Sequence, residues 1–481
     1  MMNSFDSSFI IHHSAFALNL SALLPLLRAL PEYDDLRGRA GRESVALGLP
    51  RAARLPFVAA LAADLNRPAL LVAARSDRAL VFNEELPVWT PPHSHTPIHF
   101  FPEPNPLPYE YAPWGPRTVR QRITALATLT PSLPHAHTPI LITSARALLT
   151  RTLPKRDYVA ATRPLRVGQS VRLEKLLESW IGSGYTNETI VVEPGQFSRR
   201  GGIVDVWPPA DRYPARIELF GDEVEHLRRF DPSTQRSGDG VDSVTVGPAR
   251  EALPVRAGLA PAPDSVLAPD LARLTEGIAF PTLEFYLPLL HPTSAGLLDY
   301  LPDDTLVFVD DWGELTELAQ ELESQALELR ADAIETGLIT ADFPAPNLTW
   351  SDLQDDITRF SLIHLGHADD DFLPARPIPV GDHFTPGPRF GGQIDHILAY
   401  LVENQLSAIS HPPSAIGHQR EATIVVTRQA ARLADLWGEH ESHIAPVDDL
   451  ADSPPPLSFI QGALSEGFIL RNAERPSAIC H

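Results

Sequence analysis

The run EPGQFSRRGGIVDVWPPADRYPARIELFGDEVEHLRRFDPSTQRS, from Glu193 to Ser237, decides how this chain is organised, together with the Thr189-Ile-Val-Val segment that leads into it. Short β-branched and aromatic segments are cut by Pro-Gly, Pro-Pro, Gly-Asp and Asp-Pro-Ser signals, a pattern that predicts four antiparallel strands. From Pro214 to Phe220 the strand period puts Ile217 and Leu219 on one face and Arg216, Glu218 and Phe220 on the other. The first pair is ordinary core material. The second set places a phenyl ring among charges on a wet face, which is more informative than a ring in a core. Gly201 and Gly202 interrupt a strand pattern and indicate a bulge or a close backbone approach, with Arg200 immediately before the break. From these residues alone, a small sheet with decorated edges and a partner-binding face both remain open.

The string as a whole resembles the UvrA-interaction module shared by UvrB and the bacterial transcription-repair-coupling factors (the Mfd family). The match is long, chemically mixed and rich in turns, so it is far more specific than a lone glycine motif. In that family two arginines and a phenylalanine of the module contact UvrA. The resemblance puts these roles on Arg200, Arg216 and Phe220, with Arg199 as a further basic residue beside the first.

Composition sets the outer limits. A chain of 481 residues, 43% hydrophobic and 21% charged, can bury the cores of several domains and is not a disordered polymer. Its net charge of −22 argues against a protein that coats nucleic acid by itself. The central stretch, with seven arginines against eight acids, is close to neutral within this acidic chain. The single cysteine, Cys480, excludes a disulfide framework and a cysteine metal site. No apolar run is long enough to cross a membrane and no charged leader precedes an apolar core, so a cytoplasmic location is expected.

Towards the N-terminus, Ser14 to Leu30 reads as an apolar helical opening, Pro56 to Leu61 as a helix and Pro68 to Ala73 as a buried strand. This alternation predicts an α/β layer. A nucleotide-binding turn would need glycines and a lysine, but the only lysines, Lys155 and Lys175, follow Pro154 and Glu174, so the chain has no Walker A motif. The stretch FPEPNPLPYEYAPWGPRTVRQRITALATL, Phe101 to Leu129, resembles the first domain of the same two families. UvrB carries a long aromatic-tipped hairpin near this point; here only Tyr109-Glu-Tyr111 is present, which is closer to the coupling factors. His93, His95, His99, His135 and His137 lie among Pro, Ser and Thr without fixed helical spacing and read as solvated loop residues, not a zinc site.

A helix with Leu173, Leu176, Leu177 and Trp180 on one face precedes the central strands and completes a module at 157–247. Beyond a proline-rich connector, Pro254 to Pro269, the segments from Gly277 to Asp310 resemble the returning half of the first domain, which makes the module an insertion. The strand Leu306 to Asp310 ends like a Walker B element, but without a phosphate loop Asp310 and Asp311 read as strand-end acids. An acidic helix, Glu314 to Ala331, follows. The last region holds helices at Ile394 to Leu401 and Ala430 to Trp437 and a strand at Ala422 to Thr427.

Gly462-Ala-Leu-Ser-Glu-Gly-Phe468 resembles the end of the small α/β domain that precedes the polymerase-binding domain of the coupling factors. The chain then departs from the family pattern and stops at His481, which implies a truncated or frameshifted gene or a fragment.

The expected architecture is therefore an α/β multidomain chain. A degenerate UvrB-like, P-loop-derived parallel-sheet domain is split into 1–156 and 248–348 around an α+β UvrA-interaction domain at 157–247, and a small α/β domain follows at 349–481. The resemblance implies a repair role as the UvrA-recruiting part of a factor whose intact form releases stalled RNA polymerase by ATP-dependent DNA translocation. ATP, Mg²⁺, RNA polymerase and double-stranded DNA would engage domains not present here. From this chain the reading expects no cofactor, no metal, no catalytic residue, weak DNA contact at most, and a monomer. A UvrB-like excision subunit and a structural α/β protein without a repair role are the alternatives.

Overall fold

The computed structural model describes residues 18–92, 94, 96–130, 138–253, 267–367, 375–390, 393–410, 422–440, 444–447, 450, 455–471 and 476–480. Residues 254–266 of the connector, His93, His95, His135 and His137, and the start of the N-terminal apolar segment lie outside these residues.

The first half supplies β1 (Val45–Ala46), β2 (Ala69–Ala73), β3 (Ile98–Phe101) and β4 (Ile140–Ser144). In β2, Ala69, Leu71 and Ala73 join one buried cluster and Leu70 and Val72 another. Such a strand is buried on both faces, as the centre of a parallel sheet requires. Helices Arg51–Leu65 and Ser76–Trp89 cover the first face. Pro116–Thr128, Ala145–Leu149 and the long Trp312–Glu335 cover the second.

The chain then leaves this sheet for β5 (Arg163–Arg166), β6 (Thr186–Asn187), β7 (Gln196–Arg200), β8 (Ile203–Val206), β9 (Ala215–Phe220), β10 (Glu223–Phe230), β11 (Ser237–Gly240) and β12 (Ser243–Val246). β5 and β12 pair antiparallel, so the insertion starts and ends at the same place. β6 to β11 form one six-stranded sheet in the order β11-β10-β9-β8-β7-β6. Where the sequence predicts four strands, five occur. The extra one, β11, reads Ser-Gly-Asp-Gly and has no strand propensity of its own; pairing with β10 makes it a strand. Helix Leu173–Gly182 lays Leu173, Leu176 and Trp180 against Phe197, Val204, Ile217 and Leu227, giving the insertion a private core. The insertion begins later than residue 157. Tyr158 of helix Lys155–Ala161 belongs to the core of the first sheet and meets the Tyr300 ring edge-on at 6.1 Å.

After the insertion the chain re-enters the first sheet with β13 (Leu306–Val309), β14 (Leu362–His364) and β15 (Arg376–Pro377), completing an all-parallel order β15-β1-β14-β13-β2-β4-β3. The expected boundary at 348/349 is therefore too early. Helix Trp350–Ile357 and β14 form one more helix–strand unit of this sheet, because every residue of β14 is buried between β1 and β13. The second sheet starts at β16 (Phe384–Pro386) and adds β17 (Ala422–Thr427), β18 (Leu457–Gln461), β19 (Phe468–Arg471) and β20 (Pro476–Cys480), ordered β16-β19-β20-β17-β18.

Besides a core that each sheet has alone, the two sheets share one. Phe384, Ile424, Val426, Ile460, Phe468 and Leu470 belong to the same buried cluster as Phe57 and Trp89. Phe57 meets Phe384 edge-on at 5.7 Å, and Phe468 lies 6.3 Å from Trp89.

Candidate functional site

The outward face of the inserted sheet follows from its register. Arg200 pairs with Ile203, Ile203 with Glu218 and Glu218 with His226, so these four residues form one row across β7 to β10. A second row holds Ser198, Asp205, Arg216 and Arg228. Neighbouring strands lie about 4.8 Å apart, so each row spans about 14 Å. At one end Val191, Trp207 and Phe230 form a small cluster that closes the face. The other end is open, and Phe220 stands there.

Phe220 is 79% exposed, more than any other large apolar side chain among the described residues. It ends β9, just before the turn at Gly221. Beside it runs the Gly201-Gly202 turn between β7 and β8, where the Leu219 N–H donates to the Gly202 carbonyl at 2.8 Å. Gly201 has a φ of +63°, and a Cβ on Gly202 would come within 2.9 Å of the Leu219 carbonyl oxygen. Only glycines fit this turn, and glycines contribute no side chain to cover the ring. The strand parity read from sequence matches the burial: Ile217 is fully buried and Leu219 packs on the module core while Phe220 faces outward.

The three arginines have three different settings. Arg200 is exposed, donates one hydrogen bond to the Thr189 carbonyl at 3.1 Å, and pairs with no carboxylate among the described residues. Arg216 is held tightly. Its Nε and Nη2 donate to the two oxygens of Asp205 at 2.7 and 2.9 Å, and its Nη1 donates to the Gln235 carbonyl and the Ser237 hydroxyl. The guanidinium also sits 4.7 Å from the centre of the Phe230 ring. Bonding to Asp205 raises the Arg216 pKa above its ordinary value. Arg199 is on the other face. It pairs with the buried Val204, and its guanidinium reaches Glu174 of the helix at 3.7 Å, so it does not share a surface with Arg200 and Phe220.

Ile203 belongs to this face although the sequence reading did not single it out. It is 41% exposed, between Arg200 and Glu218. The signal was present, since Val204 and Val206 face the core and leave Ile203 with the charges. Arg228 also points outward, with its Nε 3.8 Å from Glu218.

Elsewhere, acids and aromatics that invite a catalytic reading serve packing. Asp310 is buried and accepts from Arg54 Nη1 at 2.7 Å and from Arg78 Nε at 3.3 Å, while Asp311 caps the helix Trp312–Glu335 through the Glu314 N–H. Arg54 Nε also donates to the Leu49 carbonyl, so this guanidinium bridges the loop after β1 to the end of β13. In the Tyr109-Glu-Tyr111 segment only Tyr109 is buried, and both rings are held by hydrogen bonds. Tyr111 donates to Asp270 and meets the Phe285 ring edge-on, and the Tyr109 hydroxyl accepts from Arg330. Among the described residues no three His, Cys, Asp or Glu side chains group as a metal site, and no helix is long and apolar enough to cross a membrane.

Residues 164–251 match the family model of the UvrB interaction domain. This range runs from the second residue of β5 to five residues past β12, and so covers the insertion. The chain is also similar to curated transcription-repair-coupling factors. It is 28% identical to that of Mycobacterium bovis over 499 aligned positions, covering 94% of this chain and 38% of the relative. It is 28% identical to that of Bacillus subtilis over 324 positions, covering 63% of this chain and 27% of the relative. It is 30% identical to that of Myxococcus xanthus over 299 positions, covering 58% and 24%. The chain thus spans less than two fifths of the length of these relatives.

Proposed function

We propose that this chain, which corresponds to the N-terminal part of a transcription-repair-coupling factor and carries a UvrB interaction domain, recruits UvrA through the open end of its inserted sheet. The observation that carries the reading is Phe220, a bare aromatic ring on a rigid strand within the matched domain. Exposed aromatic side chains flanked by arginine dominate the energy of many interfaces, since the ring is desolvated on contact and the guanidinium makes charge-assisted bonds. In this reading Phe220 enters an apolar pocket of UvrA, and Arg200 reaches an acidic group at its rim. Arg216 belongs to the same surface, whereas Arg199 lies outside it. The chain then serves transcription-coupled excision repair in a cytoplasmic setting, and polymerase release by ATP-driven translocation belongs to parts of the relatives that this chain does not cover.

Titration of the purified chain with purified UvrA, without nucleotide or polymerase, is the direct test. Phe220→Ala should weaken binding by about 2 kcal/mol or more, as truncation of an anchor does. Equal affinity of Phe220→Ala and the unaltered chain would remove the basis of the assignment. A UvrB-like subunit would instead bind ATP on its own, which an equilibrium nucleotide-binding assay distinguishes.

A further inference from the structure

We propose that the helix Trp312–Glu335 carries a second docking surface on its outward side, built to take an amphipathic helix of a partner protein whose apolar stripe is flanked by Lys or Arg. This surface lies outside the inserted module and does not depend on the UvrA reading.

The helix has 24 residues and is about 36 Å long. Its inner face is ordinary. Leu315 and Ala319 are buried in the first-sheet core with Leu318 and Leu322 beside them, and Ala333 and Leu329 pack into the cluster that holds Phe285 and Phe343. One such face is enough to hold a helix in place. This helix has another. Gln320, Ser324, Leu327, Ala331 and Ile334 follow one another at steps of four, three, four and three residues, and all five are exposed. That spacing is the a/d seam of a helix that packs along a second helix. Leu327 is 65% exposed, second only to Phe220 among the large apolar side chains of the described residues, and Ile334 is exposed two turns further on. The Ser324 hydroxyl donates back to the Gln320 carbonyl at 3.0 Å, so its hydrogen bond is already made within the helix.

The charges beside the seam select the partner. Glu321, Glu328 and Glu335 each follow a seam residue, are exposed, and line one flank; Glu323 lies on the other. None of the four pairs with a cation among the described residues, whereas Glu314 at the start of the helix meets Arg51 and Arg75. Arg330, the one cation on the flanks, is engaged elsewhere, donating to the Tyr109 hydroxyl at 3.1 Å and the Ala341 carbonyl at 2.8 Å. In paired helices these flanking positions form the bridges that set partner choice and orientation. A second copy of this chain is disfavoured both ways. Antiparallel pairing would set the 321-328-335 flanks against each other, and parallel pairing would set Glu323 against Glu328. A helix with Lys or Arg at those positions is attracted instead, and the net charge of −22 favours its approach. The seam is only about 21 Å long, which suits a transient contact.

Fluorescence anisotropy of the purified chain with three labelled synthetic helices is the test. The first has Leu along its seam and Lys on its flanks, the second has the same Leu with Glu on its flanks, and the third has the residues of the first in scrambled order. The first should bind, and the other two about tenfold more weakly or worse. Leu327→Gln, which keeps a good helix former at an exposed position, should lose about tenfold or more for the first helix, as expected when a leucine is no longer buried on contact, with an unchanged melting temperature. Glu321→Lys combined with Glu328→Lys should reverse the preference, so that the Glu-flanked helix binds better than the Lys-flanked one.

The proposal fails if the Lys-flanked helix does not bind, if the scrambled one binds as well, or if Leu327→Gln binds like the unaltered chain. A dimer in sedimentation that Leu327→Gln dissociates would also overturn it, because the seam would then serve a second copy. UvrA affinity should be the same with and without Leu327→Gln; a loss would make the seam part of the UvrA surface and not a separate one. Should Leu327→Gln melt lower, the charge exchange at Glu321 and Glu328, both exposed, decides by the reversal alone.

Discussion

At the scale of single residues, Arg122 and Asp310 show how charge is buried here, each against an opposite charge. Arg122 is completely buried between the Phe101 ring, 4.0 Å from the guanidinium, and Glu251, at 2.5 Å. Asp310 is equally enclosed, with Arg54 and Arg78 both pointing at it. Removing Asp310 would strand two cations at the end of β13. Asp310→Ala should therefore destabilise the first sheet by about 3–5 kcal/mol, measured by urea denaturation of the purified chain. A loss below 1 kcal/mol would mean that water reaches the site and the pair is not buried in solution. Phe220 follows from strand parity and was legible from the sequence. The Asp205–Arg216 pair was not, because the two residues meet only when β8 and β9 adopt one particular register.

At the scale of elements, the β7–β8 hairpin shows how two glycines make a site without belonging to it. The missing side chains let the Leu219 backbone approach and leave the Phe220 ring uncovered. Gly202→Ala would drive a Cβ into a carbonyl oxygen that cannot retreat without breaking the β8–β9 ladder. It should cost about 1–3 kcal/mol, as overpacking does, and also lower UvrA affinity. Thermal melting and the titration above read the two effects on one sample; normal melting with normal affinity would show that the hairpin absorbs the methyl. The break in the strand pattern was visible in the sequence. β11 was not, because Ser-Gly-Asp-Gly gains strand geometry only from its neighbour.

At the scale of the whole molecule, the inserted module keeps its own core, whereas the second sheet has one of its own and shares another with the first. The rings of Phe57, Phe384, Phe468 and Trp89 form the continuous joint. Phe468→Ala should cost about 3–5 kcal/mol and lower the melting of both sheets together, since the cluster it opens belongs to both. Differential scanning calorimetry would show a single shifted peak for the two sheets. A shift confined to one component would mean that the cores are independent.

The module itself docks on helix Pro116–Thr128, where the Thr124 hydroxyl donates to the Pro209 carbonyl, and at its exit where Glu251 meets Arg122. Phe220 takes part in neither contact and stays exposed.

By itself the sequence determined some of the elements and their faces: the parallel-sheet strands at Ala69–Ala73 and Leu306–Val309, the helix that covers the inserted sheet, and the outward ring at Phe220. Local periodicity carries that information, because burial on one face leaves its mark every second or every third to fourth residue. Tertiary structure alone decided where the domains divide, that Arg199 turns away from Arg200, and that Arg216 is already engaged by Asp205. Each of these depends on residues far apart in the chain coming into register, and such pairings leave no periodic trace in the segments that make them.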